Sequence, residues 1–159
     1  MEKINIICVD DQEEVLDSVL RDLRPLAKFF RIEGCESAAD AQTLMDEIAA
    51  DGDMLGLVIS DHVMPGKNGV DLLGSISKDD RFTATRKILL TGQATHADTI
   101  RAVNEAHIDS YFEKPWKPHE LLAQAKHLLT LFIFDKGVEP ADFLPVLDQA
   151  VLLERLRRG

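Results

Sequence analysis

Short apolar segments alternate with segments of helical periodicity five times along this chain, and no other feature of the sequence restricts the fold as much. This order is typical of an α/β protein in which crossover helices cover both faces of a parallel sheet. The predicted strands are INIICV, FRIEGC, MLGLVIS, RKILLT and DSYFEK. The predicted helices span residues 12–29, 37–51, 69–77, 95–107 and 118 to about 132. We therefore predict a doubly wound, five-stranded parallel sheet.

Polar side chains stand at the ends of four of these predicted strands. Asp10 and Asp11 end the first strand and Asp61 ends the third. Thr91 ends the fourth strand and Lys114 ends the fifth. Right-handed crossovers place the carboxyl ends of all parallel strands along one edge of the sheet, and ligands of such folds bind there. We therefore expect three carboxylates, a hydroxyl and an amine to lie together.

Such a group of side chains suits phosphoryl chemistry with a metal ion. Two carboxylates about 4 Å apart repel each other by about 4 kcal/mol at an effective dielectric constant of about 20. Mg²⁺ would relieve this repulsion, because it binds through one or two carboxylates and shares its remaining positions with water and phosphate. Beside the metal, Asp61 is placed as a nucleophile towards phosphorus. Lys114 and Thr91 would then stabilise the phosphoryl oxygens.

The segments around these residues resemble the receiver domain of bacterial two-component response regulators (CheY-like). They are Asp10-Asp11 after the first strand, SDHVMPGKNG around Asp61, LLTGQA around Thr91 and YFEKPW around Lys114. The resemblance covers roughly residues 4–133. It implies a flavodoxin-like (βα)5 receiver domain over residues 1–134, with strand order 2-1-3-4-5. It also implies a signalling protein that is phosphorylated, and no enzyme beyond self-catalysed phosphoryl transfer and dephosphorylation.

The resemblance also implies a role for each residue of the phosphorylation site. Asp61 would accept a phosphoryl group from a phosphohistidine of a sensor histidine kinase or phosphotransfer protein. Asp11 would bind Mg²⁺ directly, Asp10 largely through water, and Val63 through its backbone carbonyl. Lys114 would pair with the phosphoryl group and precede a cis peptide bond.

A switch is implied as well. Thr91 would move towards the phosphoryl oxygen when Asp61 is modified, and Tyr111 would rotate inward. This repacking would alter the face formed by the fourth helix, the fifth strand and the fifth helix, where receivers commonly meet their partners. The switch would therefore be a local change of charge at Asp61 that shifts an equilibrium between two conformations of this face.

Several of these residues also have ordinary structural interpretations. Asp11 and Glu14 have the spacing of a capping box for the first helix. Thr91 alone could simply end a strand, and Tyr111 could be ordinary half-buried packing. His62 and His96 are interpreted as surface histidines, because neither has the helical acid partner of a phosphotransfer histidine.

Two other functions compete with the receiver. A Mg²⁺-dependent aspartyl-phosphate phosphatase of the haloacid-dehalogenase type would carry its nucleophile in a DxDx[TV] pattern after the first strand. This chain instead has DDQEE there and a lone aspartate after the third strand. The other alternative is a scaffold that binds proteins independently of phosphorylation, and the presence of all five site residues argues against it.

Composition limits the partners and the compartment. The net charge of -10, from 28 acidic and 18 basic residues, argues against direct nucleic-acid binding. Cys8 and Cys35 lie in apolar segments without metal-ligand spacing, so we interpret them as reduced core residues. The sequence shows no leader or membrane-spanning segment, which predicts a cytoplasmic protein without membrane contact.

Residues 135–159 form a C-terminal extension with at most one further helix. This helix is predicted to begin near Asp142, with Pro145 in its first turns. An apolar stripe comprises Phe143, Leu147, Val151 and Leu152. The stripe could pack on its own domain, form a homodimer, or lead to an output domain outside this chain, and the sequence leaves these three possibilities open.

Overall fold

The computed structural model describes residues 3–92 and 96–158, which form a five-stranded sheet and six α-helices within those ranges. The strands are β1 (Ile4–Val9), β2 (Arg31–Cys35), β3 (Met54–Asp61), β4 (Arg86–Thr91) and β5 (Ser110–Glu113). The helices are α1 (Glu13–Asp22), α2 (Ala38–Ala50), α3 (Gly69–Ser77), α4 (His96–Ala106), α5 (Pro118–Lys136) and α6 (Gln149–Arg158). Short 3-10 segments lie at Arg24–Leu26, Asp80–Phe82 and Pro140–Val146.

All strand pairs are parallel and the strand order is β2-β1-β3-β4-β5, which confirms the predicted topology. Alternate residues of β1 point to opposite faces of the sheet, as the two-residue period of a strand requires. Ile6 and Cys8 belong to the core beneath α1 and α5. Ile7 and Val9 belong to the core beneath α2, α3 and α4. The sheet is therefore covered on both sides, as expected for a doubly wound fold.

Helices α2 and α4 end one residue before their predicted ends, and two other helices differ by more. Helix α1 ends at Asp22 rather than near residue 29, because Pro25 cannot donate a backbone hydrogen bond and lies in the 3-10 segment Arg24–Leu26 instead. Leu23 and Leu26, both fully buried, nevertheless continue the apolar pattern that suggested a longer helix. Helix α5 continues to Lys136, past the predicted end near residue 132, and stops at Gly137, whose φ of 73° is left-handed.

The predicted start of the last helix near Asp142 is wrong. The chain forms a 3-10 segment over Pro140–Val146, and Leu147 is extended before α6 begins at Gln149. Asp148 caps α6, because its Oδ1 accepts the backbone N–H groups of Ala150 at 2.9 Å and Val151 at 3.3 Å. Pro145 therefore belongs to the turn before the helix rather than to its first turns.

The C-terminal extension packs on the sheet's α1 and α5 side. Val146, Leu147 and Leu152 are part of the same buried cluster as β1 and α5. The ring of Phe143 stacks on that of Phe30, with centroids 5.3 Å apart. These contacts match the packing interpretation of the extension.

Polar contacts from α5 add to this packing. The buried Thr130 hydroxyl accepts the backbone N–H of Asp148 at 2.8 Å, and the Asp148 carboxylate lies 2.9 Å from His127 Nδ1. The start of α6 is therefore held on α5 by hydrogen bonds as well as by apolar contacts. A role for the extension in dimerisation or in linking to another domain stays a prediction.

Within residues 3–92 and 96–158, every helix is too short or too polar to cross a bilayer.

Lys87 is a buried cation whose replacement is expected to stabilise the protein. Its side chain is 6% exposed, and its amine lies 3.3 Å from the Thr85 carbonyl and 3.5 Å from the His107 carbonyl. Burial lowers the pKa of Lys87, the charge of Asp109 opposes this, and Arg86 adds to it. We expect Lys87→Met to raise the free energy of unfolding by about 1 kcal/mol at neutral pH.

The lowered pKa of Lys87 determines how the stability gained in Lys87→Met changes with pH. The folded state disfavours the charged amine, so the penalty is complete below the folded-state pKa and disappears as pH rises to the unfolded value of about 10.4. The gain in Lys87→Met should therefore shrink in alkaline solution. Urea unfolding at neutral and alkaline pH measures it, with the exposed Lys28→Met as the control. A gain that grows with pH, or a loss at neutral pH, would contradict this account.

Candidate functional site

Four of the five polar residues predicted to meet at the sheet edge are in close contact, namely Asp10, Asp11, Asp61 and Lys114, and Thr91 ends the strand beside them. Asp10 directly follows β1, Asp61 is the last residue of β3, and Thr91 is the last residue of β4. Lys114 directly follows β5. Three of these residues are buried, with exposed fractions of 1% for Asp10, 6% for Asp61 and 3% for Thr91. The site therefore lies at the carboxyl edge of the sheet, and its base is buried.

The amine of Lys114 joins two of the carboxylates. It donates to Asp61 Oδ1 at 2.8 Å and to Asp10 Oδ2 at 3.1 Å. The backbone of Lys114 is held as well, because its N–H donates to the Thr91 carbonyl at 2.8 Å and so extends the pairing of β4 with β5. The Lys114–Pro115 peptide bond is cis, as the resemblance implies. Lys114 is therefore fixed at both its backbone and its amine.

Asp11 completes a cluster of three carboxylates. Oxygen atoms of Asp10, Asp11 and Asp61 lie within 4.8 Å of one another, and Asp11 is the exposed member. The capping interpretation of Asp11 is wrong, because the residue before the first turn of α1 is Gln12 and it makes no side-chain cap. Asp11 thus faces the cluster from its solvent side.

The cluster has too little positive charge for its carboxylates. Burial raises the pKa of Asp61, and the charge of Asp10 adds to this, while the hydrogen bond from Lys114 only partly offsets it. Burial alone would lower the pKa of Lys114, but its hydrogen bonds to Asp61 and Asp10 outweigh burial and raise it. The raised pKa of Asp61 and the raised pKa of Lys114 have a common cause. One amine is the partner of two buried carboxylates, and a third carboxylate lies beside them. The three carboxylates are close enough together that they could hold a metal ion.

Gly69 allows the loop after β3 to lie against the end of that strand. Its N–H donates to the His62 carbonyl at 2.8 Å. A Cβ at this position would overlap the Asp61 carbonyl oxygen and lie 2.9 Å from the His62 Cα. Glycine is required here by close approach of two backbone segments. The sequence identifies Gly69 only as the start of a helix. Its spacing from Asp61 is the sequence feature that could have indicated this close approach.

The remaining residues singled out in the sequence differ in their exposure. Val63, two residues after Asp61, is 76% exposed, and Tyr111 on β5 is 47% exposed. Tyr111 is therefore directed outward in this structure. His62 is half-buried rather than a surface residue, and its Nδ1 is buried without a hydrogen-bond partner among the described residues. The side chain of His96 lies outside the described part of the chain.

Comparisons with known proteins agree with this geometry. The family model described as "Response regulator receiver domain" matches residues 6–126. Among solved structures, the signal receiver domain of an HD domain-containing protein from Pseudomonas fluorescens Pf-5 is 31% identical, with a TM-score of 0.66 over 78% of this chain and 91% of that one. A CheY-like receiver from Methanospirillum hungatei, 24% identical with a TM-score of 0.70 over 85% of this chain and 99% of that one, has the same fold.

Curated relatives are longer proteins. The hydrogenase transcriptional regulatory protein HoxA of Bradyrhizobium diazoefficiens is 27% identical over 86% of this chain and 26% of its own length. The response regulator Rre1 of Synechocystis is 29% identical over 80% of this chain and 52% of its own length. The chain thus spans about a quarter to a half of the curated relatives it matches. With the site at the sheet edge and a family match over most of its length, the chain belongs to the response regulator receiver domain family.

Proposed function

We propose that Asp61 accepts a phosphoryl group from a phosphohistidine of a sensor histidine kinase or phosphotransfer protein. The observation that carries this proposal is the Lys114 amine lying between Asp61 and Asp10 in a cluster that is short of positive charge. A carboxylate beside a fixed cation, at the open end of a parallel sheet, is suited to react with an incoming phosphoryl group.

The transfer requires little covalent work from the protein. A carboxylate oxygen of Asp61 forms a bond to phosphorus while the bond between phosphorus and the imidazole nitrogen of the donor breaks, and that nitrogen regains a proton. Negative charge on the phosphoryl oxygens is stabilised by the Lys114 ammonium and the Thr91 hydroxyl. Positioning and electrostatics therefore account for the reaction.

The donor set fits Mg²⁺. Asp11, Asp61 and the Val63 carbonyl would bind it directly, whereas Asp10 would act largely through water. This division is supported by the hydrogen bonds of Asp10, whose Oδ1 accepts from Gln12 N at 2.9 Å and whose Oδ2 accepts from Lys114. Bound Mg²⁺ would neutralise charge on both the carboxylates and the phosphoryl oxygens.

Mg²⁺ is expected to stabilise the unphosphorylated protein against unfolding. At a concentration about 100 times its dissociation constant, a ligand of the folded state adds about 2.7 kcal/mol. Thermal unfolding should therefore shift upward with Mg²⁺ relative to KCl of equal ionic strength, and Asp11→Asn should remove most of the shift. Asp17 is an exposed carboxylate on α1, so Asp17→Asn should leave the shift unchanged. An equal shift in the Asp11 and Asp17 variants would contradict the metal site.

We further propose that phosphorylation is read at the face formed by α4, β5 and α5. Thr91 would move towards the modified Asp61, and Tyr111, now exposed, would rotate inward. The reader would be a partner protein, a second copy of the chain, or an output domain outside residues 1–159. The relative HoxA is named as a transcriptional regulatory protein, which favours an output beyond the receiver, with DNA contacts made outside this acidic chain.

Labelling with a small phosphodonor tests the proposed function. Acetyl phosphate and Mg²⁺ should transfer close to one phosphoryl group per chain, and Asp61→Asn should abolish this transfer. Asp71→Asn, an exposed acid in the first turn of α3, is the matched control and should be labelled like the natural chain. Continuous turnover of many phosphate esters would favour the phosphatase alternative, and an absence of uptake would favour the scaffold.

A further inference from the structure

A hydrogen bond ties the segment that follows Lys114 to the end of α1. Trp116, the one tryptophan of the sequence, donates from its indole Nε1 to Asp22 Oδ2 at 2.7 Å. The tryptophan ring is half-buried and packs against the core on the α1 and α5 side. The two partners are 94 residues apart in the sequence.

Asp22 occupies a position where a carboxylate is locally unfavourable. It is the last residue of α1, and the C-terminal end of a helix carries partial negative charge. The next residue, Leu23, is fully buried, as is Leu26 in the following turn, so this end of α1 is anchored in the core. Residues that oppose a local preference often serve a purpose elsewhere in the structure. Here the carboxylate provides a fixed acceptor for the indole.

The segment between β5 and α5 has few other anchors. β5 ends at Glu113 and α5 begins at Pro118, and Lys117, which precedes the helix, makes no side-chain cap. Among the contacts of the described part of the chain, residues 115–117 have one side-chain hydrogen bond, which the indole N–H of Trp116 donates to Asp22. Backbone hydrogen bonds hold the two ends of this segment, from Lys114 to the Thr91 carbonyl at 2.8 Å and from Glu120 to the Lys117 carbonyl at 3.0 Å. Between these ends, the contact of Trp116 with Asp22 adds a side-chain anchor immediately after Lys114.

We propose that Asp22 is a positioning residue for Lys114, because its hydrogen bond to Trp116 fixes the segment that holds the Lys114 amine between Asp61 and Asp10. The consequence for phosphoryl transfer rests on the function proposed above. The consequence for the position of the amine does not, since it concerns the unphosphorylated protein.

The rate of labelling by acetyl phosphate tests the consequence for transfer. Asp22→Ala and Trp116→Phe should each lower the rate about 10-fold, because small displacements of a reacting group cost large factors in rate. The double variant should lose no more than either single one, since both remove the same hydrogen bond. Asp22→Asn keeps an acceptor oxygen and should restore most of the rate, and Asp17→Ala on the same helix is the control. Additive losses, or an Asp22→Asn variant as slow as Asp22→Ala, would overturn the proposal.

A second background separates positioning from a general effect on folding. In Lys114→Met, Asp22→Ala should cause no further loss of rate, because there is no amine left to position. An equal loss in both backgrounds would show that Asp22 acts by another route. If Asp22→Ala fails to fold, Trp116→Phe carries the same comparison.

Chemical modification tests the position of the amine without phosphorylation. Acylation of Lys114, followed by peptide mass spectrometry, should be several-fold faster in Asp22→Ala than in the natural chain, whereas acylation of the exposed Lys28 should not change. Unchanged Lys114 reactivity would overturn the proposal. If the natural chain accepts no phosphoryl group, the proposed function fails, and this measurement still decides the role of Asp22.

Discussion

Gly69→Ala is expected to lower the free energy of unfolding by about 3 kcal/mol and to abolish labelling of Asp61 in the fraction that stays folded. The added Cβ would overlap the Asp61 carbonyl oxygen and lie 2.9 Å from both the Asp61 carbonyl carbon and the His62 Cα. These neighbours are backbone atoms, so no side-chain rotation can relieve the overlap. Either the loop must leave the strand or the end of β3, with Asp61 on it, must move.

A matched glycine lies in the same helix. A Cβ added to Gly74 would lie 3.7 Å from the Ala106 Cβ, which is an ordinary van der Waals distance, so Gly74→Ala adds a methyl group without overlap. Alanine is a better helix former than glycine, and this variant is expected to gain up to about 1 kcal/mol. Urea unfolding of the two variants should therefore show effects of opposite sign. A Gly69→Ala protein with natural stability and labelling would contradict the close approach seen at this site.

Lys114→Met is also expected to have a large effect on both stability and labelling. It leaves Asp10 and Asp61 buried with no ammonium partner, and breaking a buried ion pair in this way costs about 3–5 kcal/mol. It also removes a cation that stabilises the transferred phosphoryl group, which is expected to slow labelling about 100-fold or more. Denaturant unfolding and the rate of labelling measure the two effects separately.

The double variant Lys114→Met with Asp61→Asn identifies the cause of the instability. Because the second change removes one of the two stranded charges, it should recover part of the lost free energy of unfolding. Lys117→Met, an exposed lysine three residues further along, is the control and should be close to neutral. Equal losses in the single and double variants would show that the amine stabilises the fold through other contacts.

Local sequence signals were sufficient for most of the sheet and for the convergence of the site. β1, β4 and α3 have the predicted boundaries, because each apolar segment is flanked by charged residues, glycine or proline. The meeting of Asp10, Asp61 and Lys114 followed from strand order and direction alone, since the carboxyl ends of parallel strands share one edge.

Two errors, at the end of α1 and at the start of the last helix, arose where a local pattern continued past a proline. Apolar spacing extended through Pro25 and again around Pro145, and in both places the chain turns while the buried side chains continue the pattern. A proline thus ended the hydrogen bonding of a helix without ending its burial.

Long-range contacts had no signal in the sequence. Asp22 and Trp116 are 94 residues apart, and nothing in either segment marks them as partners. The overlap that a side chain at Gly69 would create depends on the path of the loop after β3. Such contacts are consequences of tertiary packing, so only the structure reveals them.

The central claim is that the charge-deficient cluster directs a phosphoryl group to one carboxylate. The most direct measurement labels the natural chain with acetyl phosphate and Mg²⁺, reduces the acyl phosphate with borohydride, and locates the resulting alcohol by peptide mass spectrometry. The account predicts reduction at Asp61 and at no other acidic residue. Reduction at Asp10 or Asp11, or at several exposed carboxylates, would contradict it, and so would a phosphoryl group that borohydride leaves in place on His62.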